Sequence, residues 1–328
     1  MPPNRLKNIS IFFLKLCISL GLLGYFLSRV NLSQVIETII HFPKGLLLLI
    51  CLLYLIPQLI NTFKWRLLLP NHSYSSLFKM TILGQYYNLI LPGQIVGEGV
   101  KAYKLGRGKQ DAEEVAASVA VDKITALIGL LLVGIFGVFL SHSPIPYGIP
   151  VALLIIVAVF FLFLFSFHFQ AIRNFSGFIL TRFLDHSPRT ARLAGQLRSF
   201  MDAWRTYSRQ TRLIFYSIGL GILFQLVVAF LTLILAAPLG ISVSFIDWCW
   251  IMPISSIVVL LPVTIGGIGV REGAFIIILG WLGVSNDKAL ALSLMCFFIQ
   301  VLLAGWGLGY EINWQVKSLQ KGIGGDKN

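Results

Sequence analysis

The chain has 328 residues, of which 57% are hydrophobic and only 12% charged, and its mean hydropathy is +0.84. A soluble domain is about a quarter charged and about half apolar, which excludes a soluble globular enzyme, a disordered tail and a coiled coil. The net charge of +13 sits between long apolar runs, so it reads as membrane topology and contact with anionic lipid rather than nucleic acid.

In chain order, the first apolar run spans residues 9–30, after Arg5 and Lys7. No small-residue cleavage site follows it, so it reads as an anchor and not a removed signal peptide. Lys15 lies inside this run and reads as a lysine snorkelling back to the interface. Residues 31–43 form a short amphipathic segment ending at Pro43. A second span, 44–63, stops at Lys64-Trp65-Arg66, and further spans are expected at 117–140, 147–168, 213–237 and 288–310. Lys and Arg concentrate at the N-terminus, in 64–115, in 169–212 and after 312. The loop 141–146 carries no charge. The positive-inside rule then puts both termini in the cytoplasm, with six full crossings of the cell membrane.

Two apolar stretches are interrupted. Residues 75–110 break at Leu91-Pro92-Gly93 and turn polar at Gly97-Glu98-Gly99-Val100-Lys101. A re-entrant hairpin is the economical reading, because the return limb is too short and too charged to cross. Residues 245–284 break around Leu261-Pro262 and Gly266-Gly267-Ile268-Gly269. Here a re-entrant hairpin and two tilted spans both remain open. The segment 169–212 carries eight arginines and two aspartates. Within it, Leu193, Leu197, Phe200 and Trp204 share one helical face, opposite Arg198, Arg205 and Arg209. This reads as an interfacial helix on anionic lipid, or as simple positive-inside anchoring.

The two broken stretches resemble each other. Residues 91–101 read LPGQIVGEGVK and residues 261–271 read LPVTIGGIGVR. At a constant offset of 170, six positions are identical and Lys101 matches Arg271. Span 44–63 maps onto 214–233, and 117–140 maps onto 287–310. The expected fold is therefore an all-α membrane bundle, one integral domain over 1–328. Half one covers 9–140 and half two covers 147–310, with 169–212 as a cytoplasmic insertion. An odd number of crossings between mates inverts one half against the other. Inverted repeats with matched broken segments point to a transport site at their interface.

Little points to catalysis. The cysteines Cys17, Cys51, Cys249 and Cys296 form no CxxC pair, and the five histidines are scattered. No G-x-S-x-G, Walker A or Asp-x-Asp element occurs, so no metal, cofactor or catalytic residue is expected. The chemistry lies at the breaks instead. Short helices are expected at 98–107 and 270–282, and a helix N-terminus suits an anionic phosphate. Lys101 and Arg271 would add charge-assisted bonds one turn in. Glu98 and Glu272 would pair with these cations, or take an amine or a proton. Charges at membrane depth cost about 2.5–3.5 kcal/mol each on insertion scales and default to a functional reading. The candidate binding set is Pro92, Gly97, Glu98, Lys101, Pro262, Gly267, Gly269, Arg271 and Glu272. Asp122 and Lys123 are a candidate gate or pair, or an interfacial feature. The bland alternative is that the ion pairs merely hold the hairpins.

These motifs resemble a known family. The run Leu91-Pro92-Gly93…Gly97-Glu98…Lys101-Ala102-Tyr103…Leu105-Gly106-Arg107, followed by Ala116-Ala117-Ser118…Val121-Asp122-Lys123, is similar to the first signature of the lysylphosphatidylglycerol synthase transmembrane family. That family is also described as flippase-like integral membrane proteins, UPF0104. Pro262…Gly266-Gly267-Ile268-Gly269-Val270-Arg271-Glu272-Gly273-Ala274…Leu282-Gly283-Val284 resembles its second signature. Lys101 stands where an arginine is expected and Asp122 where a glutamate is expected. The resemblance covers roughly 10–310. It implies movement of a phospholipid or glycolipid between leaflets, as in the transmembrane part of the bacterial multiple peptide resistance factor. The soluble aminoacyl-transferase domain of that factor is expected to be missing here, so lysyl-lipid synthesis is not expected. Expected partners are a membrane lipid and a lipid-modifying enzyme. Competing readings are a glycosyl or acyl transferase acting on a lipid-linked substrate, and a scaffold for such an enzyme.

Overall fold

A computed structural model describes residues 3–91, 94–107, 111–166, 207, 210–260 and 263–324. The described residues are helical and contain no strand. Helices α1 (Pro3–Leu27) and α2 (Leu32–Ile40) meet at 90°. Asn31 ends the turn between them: its side-chain oxygen accepts from the amides of Ser33 and Gln34, capping α2. The Asn31 amide donates to Asp287 Oδ1 at 2.7 Å, and α2 lies along the last helix of the chain. This is the short amphipathic segment expected at 31–43.

Helices α3 (Lys44–Leu53) and α4 (Leu55–Leu68) form one apolar segment with a pause at Tyr54. Pro57 explains the pause, since it has no amide to give to the Leu53 carbonyl. Then come α5 (Tyr74–Ile90), α6 (Gln94–Gly106), α7 (Ala112–Leu140) and α8 (Gly148–Ser166). After the insertion, α9 (Thr211–Ala236) runs into a 3-10 turn at Ala237–Leu239 and stops at the left-handed Gly240. The chain ends with α10 (Phe245–Leu260), α11 (Val270–Trp281) and α12 (Asn286–Gly324). Shifted by 170 residues, α5 falls on 244–260, the position of α10.

Four segments among the described residues are long and apolar enough to cross a membrane: 44–68, 112–140, 211–239 and 286–316. The bent pair 14–27 and 32–40 would make a fifth. The sequence led to six. The two remaining expected spans, 9–30 and 147–168, coincide with α1, of 25 residues, and α8, of 19 residues. In the stretch 245–284, α10 has 16 residues and α11 has 12. Neither reaches the roughly 20 residues that a full crossing needs, so this stretch is a pair of short limbs. The insertion 169–212, with its expected amphipathic face, lies outside the described residues up to Tyr207. The Tyr207 hydroxyl donates to the Leu68 carbonyl at the end of α4, at 2.9 Å.

One expected element is corrected. The short helix placed at 98–107 begins earlier, at Gln94. In the second hairpin Gly266, Gly267 and Gly269 take positive φ values of 60°, 77° and 86°, which keeps the backbone out of the helix until Val270. At the 170-residue offset, Gly266 corresponds to Val96, a β-branched residue for which positive φ is strongly unfavourable. The first hairpin therefore resumes its helix at once. Glu98 and Lys101 sit about one and two turns inside α6, and Arg271 lies in the first turn of α11.

Large apolar residues cover the outer surface, and several charged residues are buried inside beside the apolar core. Leu48, Phe139, Phe215 and Tyr216 are exposed, while Lys64, Lys101, Asp122 and Glu272 are buried. This inversion is the signature of a chain solvated by hydrocarbon. Lipid tails give helices no hydrophobic reason to associate, so close backbone packing does the joining. α7 is the central column, packed against α6, α8, α9 and α10. A Cβ on Gly129 would stand 2.7 Å from the Gly221 carbonyl carbon of α9, and one on Gly137 would stand 2.7 Å from the Trp250 amide of α10. A Cβ on Gly307 of α12 would stand 2.5 Å from the Ile82 carbonyl oxygen of α5. At the opposite end of α7, Asp247 ties the 141–143 turn to α10. Its carboxylate accepts from the hydroxyls of Ser141, Ser143 and Ser244 and from the Trp250 indole.

The glycine contacts give a stability prediction. Gly129→Leu and Gly137→Leu force helices apart and should each cost about 1–3 kcal/mol, read as a lower thermal midpoint in detergent. Gly219→Ala, where a Cβ meets nothing within 4 Å, should leave the midpoint unchanged or raise it.

Candidate functional site

Two clusters of buried charged residues lie at the broken hairpins, one at each. The first draws on four helices. The Lys64 ammonium of α4 stands 3.2 Å from Asp122 Oδ1 of α7 and donates to the Asp122 main-chain carbonyl at 2.9 Å. Glu98 of α6 lies between two lysines. Its Oε2 is 2.7 Å from Lys101 Nζ and its Oε1 is 2.8 Å from Lys123 Nζ. Lys101 Nζ also sits 4.0 Å above the ring of Trp65, a favourable cation–π position. The Trp65 indole is fixed in turn by donating to Ser118 Oγ at 3.0 Å. From α5, Gly84 leaves room for the Lys101 stem, and Asn88 fills the space beside Gly97.

Local geometry explains why these side chains converge. Glu98 and Lys101 are three residues apart on α6, so they share a face. Asp122 and Lys123 are adjacent on α7 and therefore diverge. Asp122 turns to Lys64 and Lys123 turns to Glu98, so each of these candidate gate residues joins a different partner. Lys64, Lys101 and Asp122 are almost fully buried, whereas the Lys123 side chain is 43% exposed. Three ammonium groups face two carboxylates, which leaves one surplus positive charge.

The second cluster is charge-balanced. Arg271 NH2 donates to Glu272 Oε1 at 2.8 Å, and NH1 donates to Gln300 Oε1 at 3.0 Å. The guanidinium lies 4.6 Å from the Phe297 ring centroid, and its Nε carries no hydrogen bond. Glu272 Oε1 also accepts from Ser293 Oγ at 3.3 Å. Its Oε2 accepts from the Gly269 amide at 2.5 Å, closing the N-terminus of α11. An internal carboxylate thus occupies the amide that the sequence reading offered to a phosphate.

Other expected site residues are backbone elements of the turns. Gly267 faces Val259, and Gly269 packs on Ser19, Leu22 and Leu23 of α1. The Ile265 amide donates to Ser19 Oγ at 3.0 Å, fastening the second hairpin to α1. Pro92 and Pro262 lie outside the described residues. The two hairpins touch: a Cβ on Gly266 would stand 2.8 Å from the Leu89 carbonyl, one residue beyond Asn88.

Several participants escaped the sequence reading. In the sequence, Lys64 and Trp65 read as the polar end of a span. Lys104 of α6 pairs with Glu311 of α12 and lies 4.1 Å from the Trp314 ring centroid, which joins the first hairpin to the last helix. Glu311 is the one acid of α12 beyond its first turn, and that is the signal available for it. Gln58 and Gln85 pair through their amides at 3.2 Å, Nε2 of Gln85 to Oε1 of Gln58.

Breaking one partner of a buried ion pair costs about 3–5 kcal/mol, because the other charge is left uncompensated. Asp122→Ala should therefore destabilise the protein strongly. Lys64→Met combined with Asp122→Ala should recover much of the loss. Thermal unfolding of the two purified variants in one detergent checks this.

Comparison with known proteins agrees with the motifs. The family model described as the lysylphosphatidylglycerol synthase TM region matches residues 12–307. A UPF0104 membrane protein of Methanothermobacter thermautotrophicus is 24% identical over 244 residues, which is 70% of this chain and 71% of that protein. With nearly the whole described helical core inside the match, the chain belongs to the membrane-protein family of the lysylphosphatidylglycerol synthase transmembrane region.

Proposed function

We propose that the protein is a flippase-like transporter that moves an anionic phospholipid or glycolipid between the leaflets of the cell membrane. The observation that carries this reading is the pair of buried ionic clusters at two matched, broken hairpins whose tips touch. Ionic groups at membrane depth are costly, and they mark substrate paths more often than scaffolding. Inverted halves with broken segments at matching positions supply a route for alternating access. In this reading both termini are cytoplasmic, and one half rocks against the other.

The roles follow from the geometry. The first cluster has the surplus positive charge, and Lys123 is its solvent-accessible member. A lipid phosphate would take Lys123 from Glu98, while Lys101 keeps Glu98 paired. Arg271 would present its free Nε from the second hairpin. Trp65 holds Lys101 and Ser118 holds Trp65, so the binding group is pre-set by packing. The acyl chains stay in the bilayer throughout. A lipid-modifying enzyme that makes the cargo is the natural partner.

The test is leaflet translocation of a fluorescent anionic phospholipid in proteoliposomes. Lys101→Ala with Arg271→Ala should slow translocation by at least about tenfold, an effect of roughly 1.4 kcal/mol. Lys101→Arg should retain much of the activity. Wild-type rates in the double alanine variant, with normal folding, would sink the proposal.

A further inference from the structure

The seam between α6 and α12 is built differently from the contacts around it. Both helices pack closely on α5, but their backbones scarcely approach each other. Side chains bridge the gap instead. Lys104 of α6 pairs with Glu311 of α12, and its ammonium lies 4.1 Å from the Trp314 ring centroid and 5.3 Å from that of Tyr87 on α5. Glu311 also accepts from Gln315 Nε2 at 2.9 Å. The seam is therefore a groove floored by α5, and the Lys104–Glu311 pair is a bar across it.

The same seam carries a second cation that has no acid beside it. Arg107 follows the last residue of α6 and is exposed. Its guanidinium carbon stands 5.9 Å from the ring centroid of Tyr103 and 5.9 Å from that of Trp314. Among the described residues no carboxylate pairs with it. Trp314 thus touches both cations, the buried Lys104 and the exposed Arg107. With two cations and one acid, the seam keeps one excess positive charge, and that charge is on its open side.

This combination fits one kind of ligand. Tyr and Trp side chains settle at the level of lipid headgroups, and Tyr103 is 63% exposed there. A guanidinium matches a phosphate with two parallel bonds. The positive-inside reading puts the 64–115 region against the cytoplasmic leaflet, where anionic lipids attract basic residues. We infer that the α6–α12 seam is a docking site for an anionic phospholipid of the cytoplasmic leaflet, with its phosphate on Arg107 at the Tyr103–Trp314 rim. The site is separate from the two hairpin clusters and does not depend on transport. Glu311 limits its depth: it holds Lys104 and repels a phosphate, so the headgroup stops at Arg107. Without the negative charge of Glu311, the phosphate gains Lys104 as a second cation.

The experiment uses the full chain, purified in detergent, with short-chain phosphatidylglycerol and phosphatidylcholine as probes and native mass spectrometry as the readout. Phosphatidylglycerol should bind at least about fivefold better than phosphatidylcholine. Arg107→Gln should weaken phosphatidylglycerol binding about fivefold, the worth of one basic residue at an anionic lipid surface, and leave phosphatidylcholine unchanged. Glu311→Gln should strengthen phosphatidylglycerol binding by a similar factor. Arg66→Gln removes the same charge from an exposed site at the end of α4 and should change binding less than about twofold. Equal losses in the two arginine variants, or no loss in either, overturn the docking site, since binding is then general attraction to a basic surface. Displacement of the lipid by an equimolar amount of inorganic phosphate overturns the lipid as occupant. Unchanged or weaker binding in Glu311→Gln, at an unaltered thermal midpoint, overturns the role of Glu311. Because only binding is read, a failure here is distinct from a failure of leaflet translocation.

Discussion

The organisation of this protein depends on one constraint: an ionic group placed in hydrocarbon must find its counter-charge on the protein. α4, α6 and α7 are joined because Lys64, Glu98, Lys101, Asp122 and Lys123 complete one another. α6 reaches α12 through Lys104 and Glu311, and α11 reaches α12 through Arg271 and Gln300. In water such pairs would contribute little. In a bilayer interior they decide which helices are neighbours, and the glycine contacts of α7 and α12 then set how closely those helices approach.

Much of the fold was legible in the sequence because hydrocarbon imposes a simple rule on composition. Long apolar runs located the helices at 44–68, 112–140 and 211–239 to within a few residues. The Leu-Pro and Gly-rich motifs located both breaks. The number of crossings was less legible, because the 12- and 16-residue limbs share the composition of spans without their length, and α1 bends sharply into α2. The start of α6 was misplaced for a local reason. The motifs look alike, but Val96 in place of a glycine removes the positive-φ turn that delays α11.

The site was legible in part. Glu98, Lys101, Arg271 and Glu272 stand out as charges within apolar hairpins, and each is found in a buried cluster. Lys64 was hidden by its position in Lys64-Trp65-Arg66, where a cation reads as the end of a span. Asp122 and Lys123 looked like a pair because they are neighbours in sequence, yet adjacent helical residues point about 100° apart. Asn88 and Gln85 carried no signal, since an amide in an apolar helix acquires meaning only from what lies opposite it.

The surplus positive charge of the first cluster has an electrical consequence. In the proposed transport cycle, this cluster would be neutral when it holds a monoanion and would carry one positive charge when empty. Moving a unit charge through the full membrane potential is worth about 2.3 kcal/mol per 100 mV. In a rocking cycle, loading would silence the field and unloading would restore it. The voltage would then act on the return of the vacant protein, so the membrane potential would set the resting orientation without pulling on the cargo.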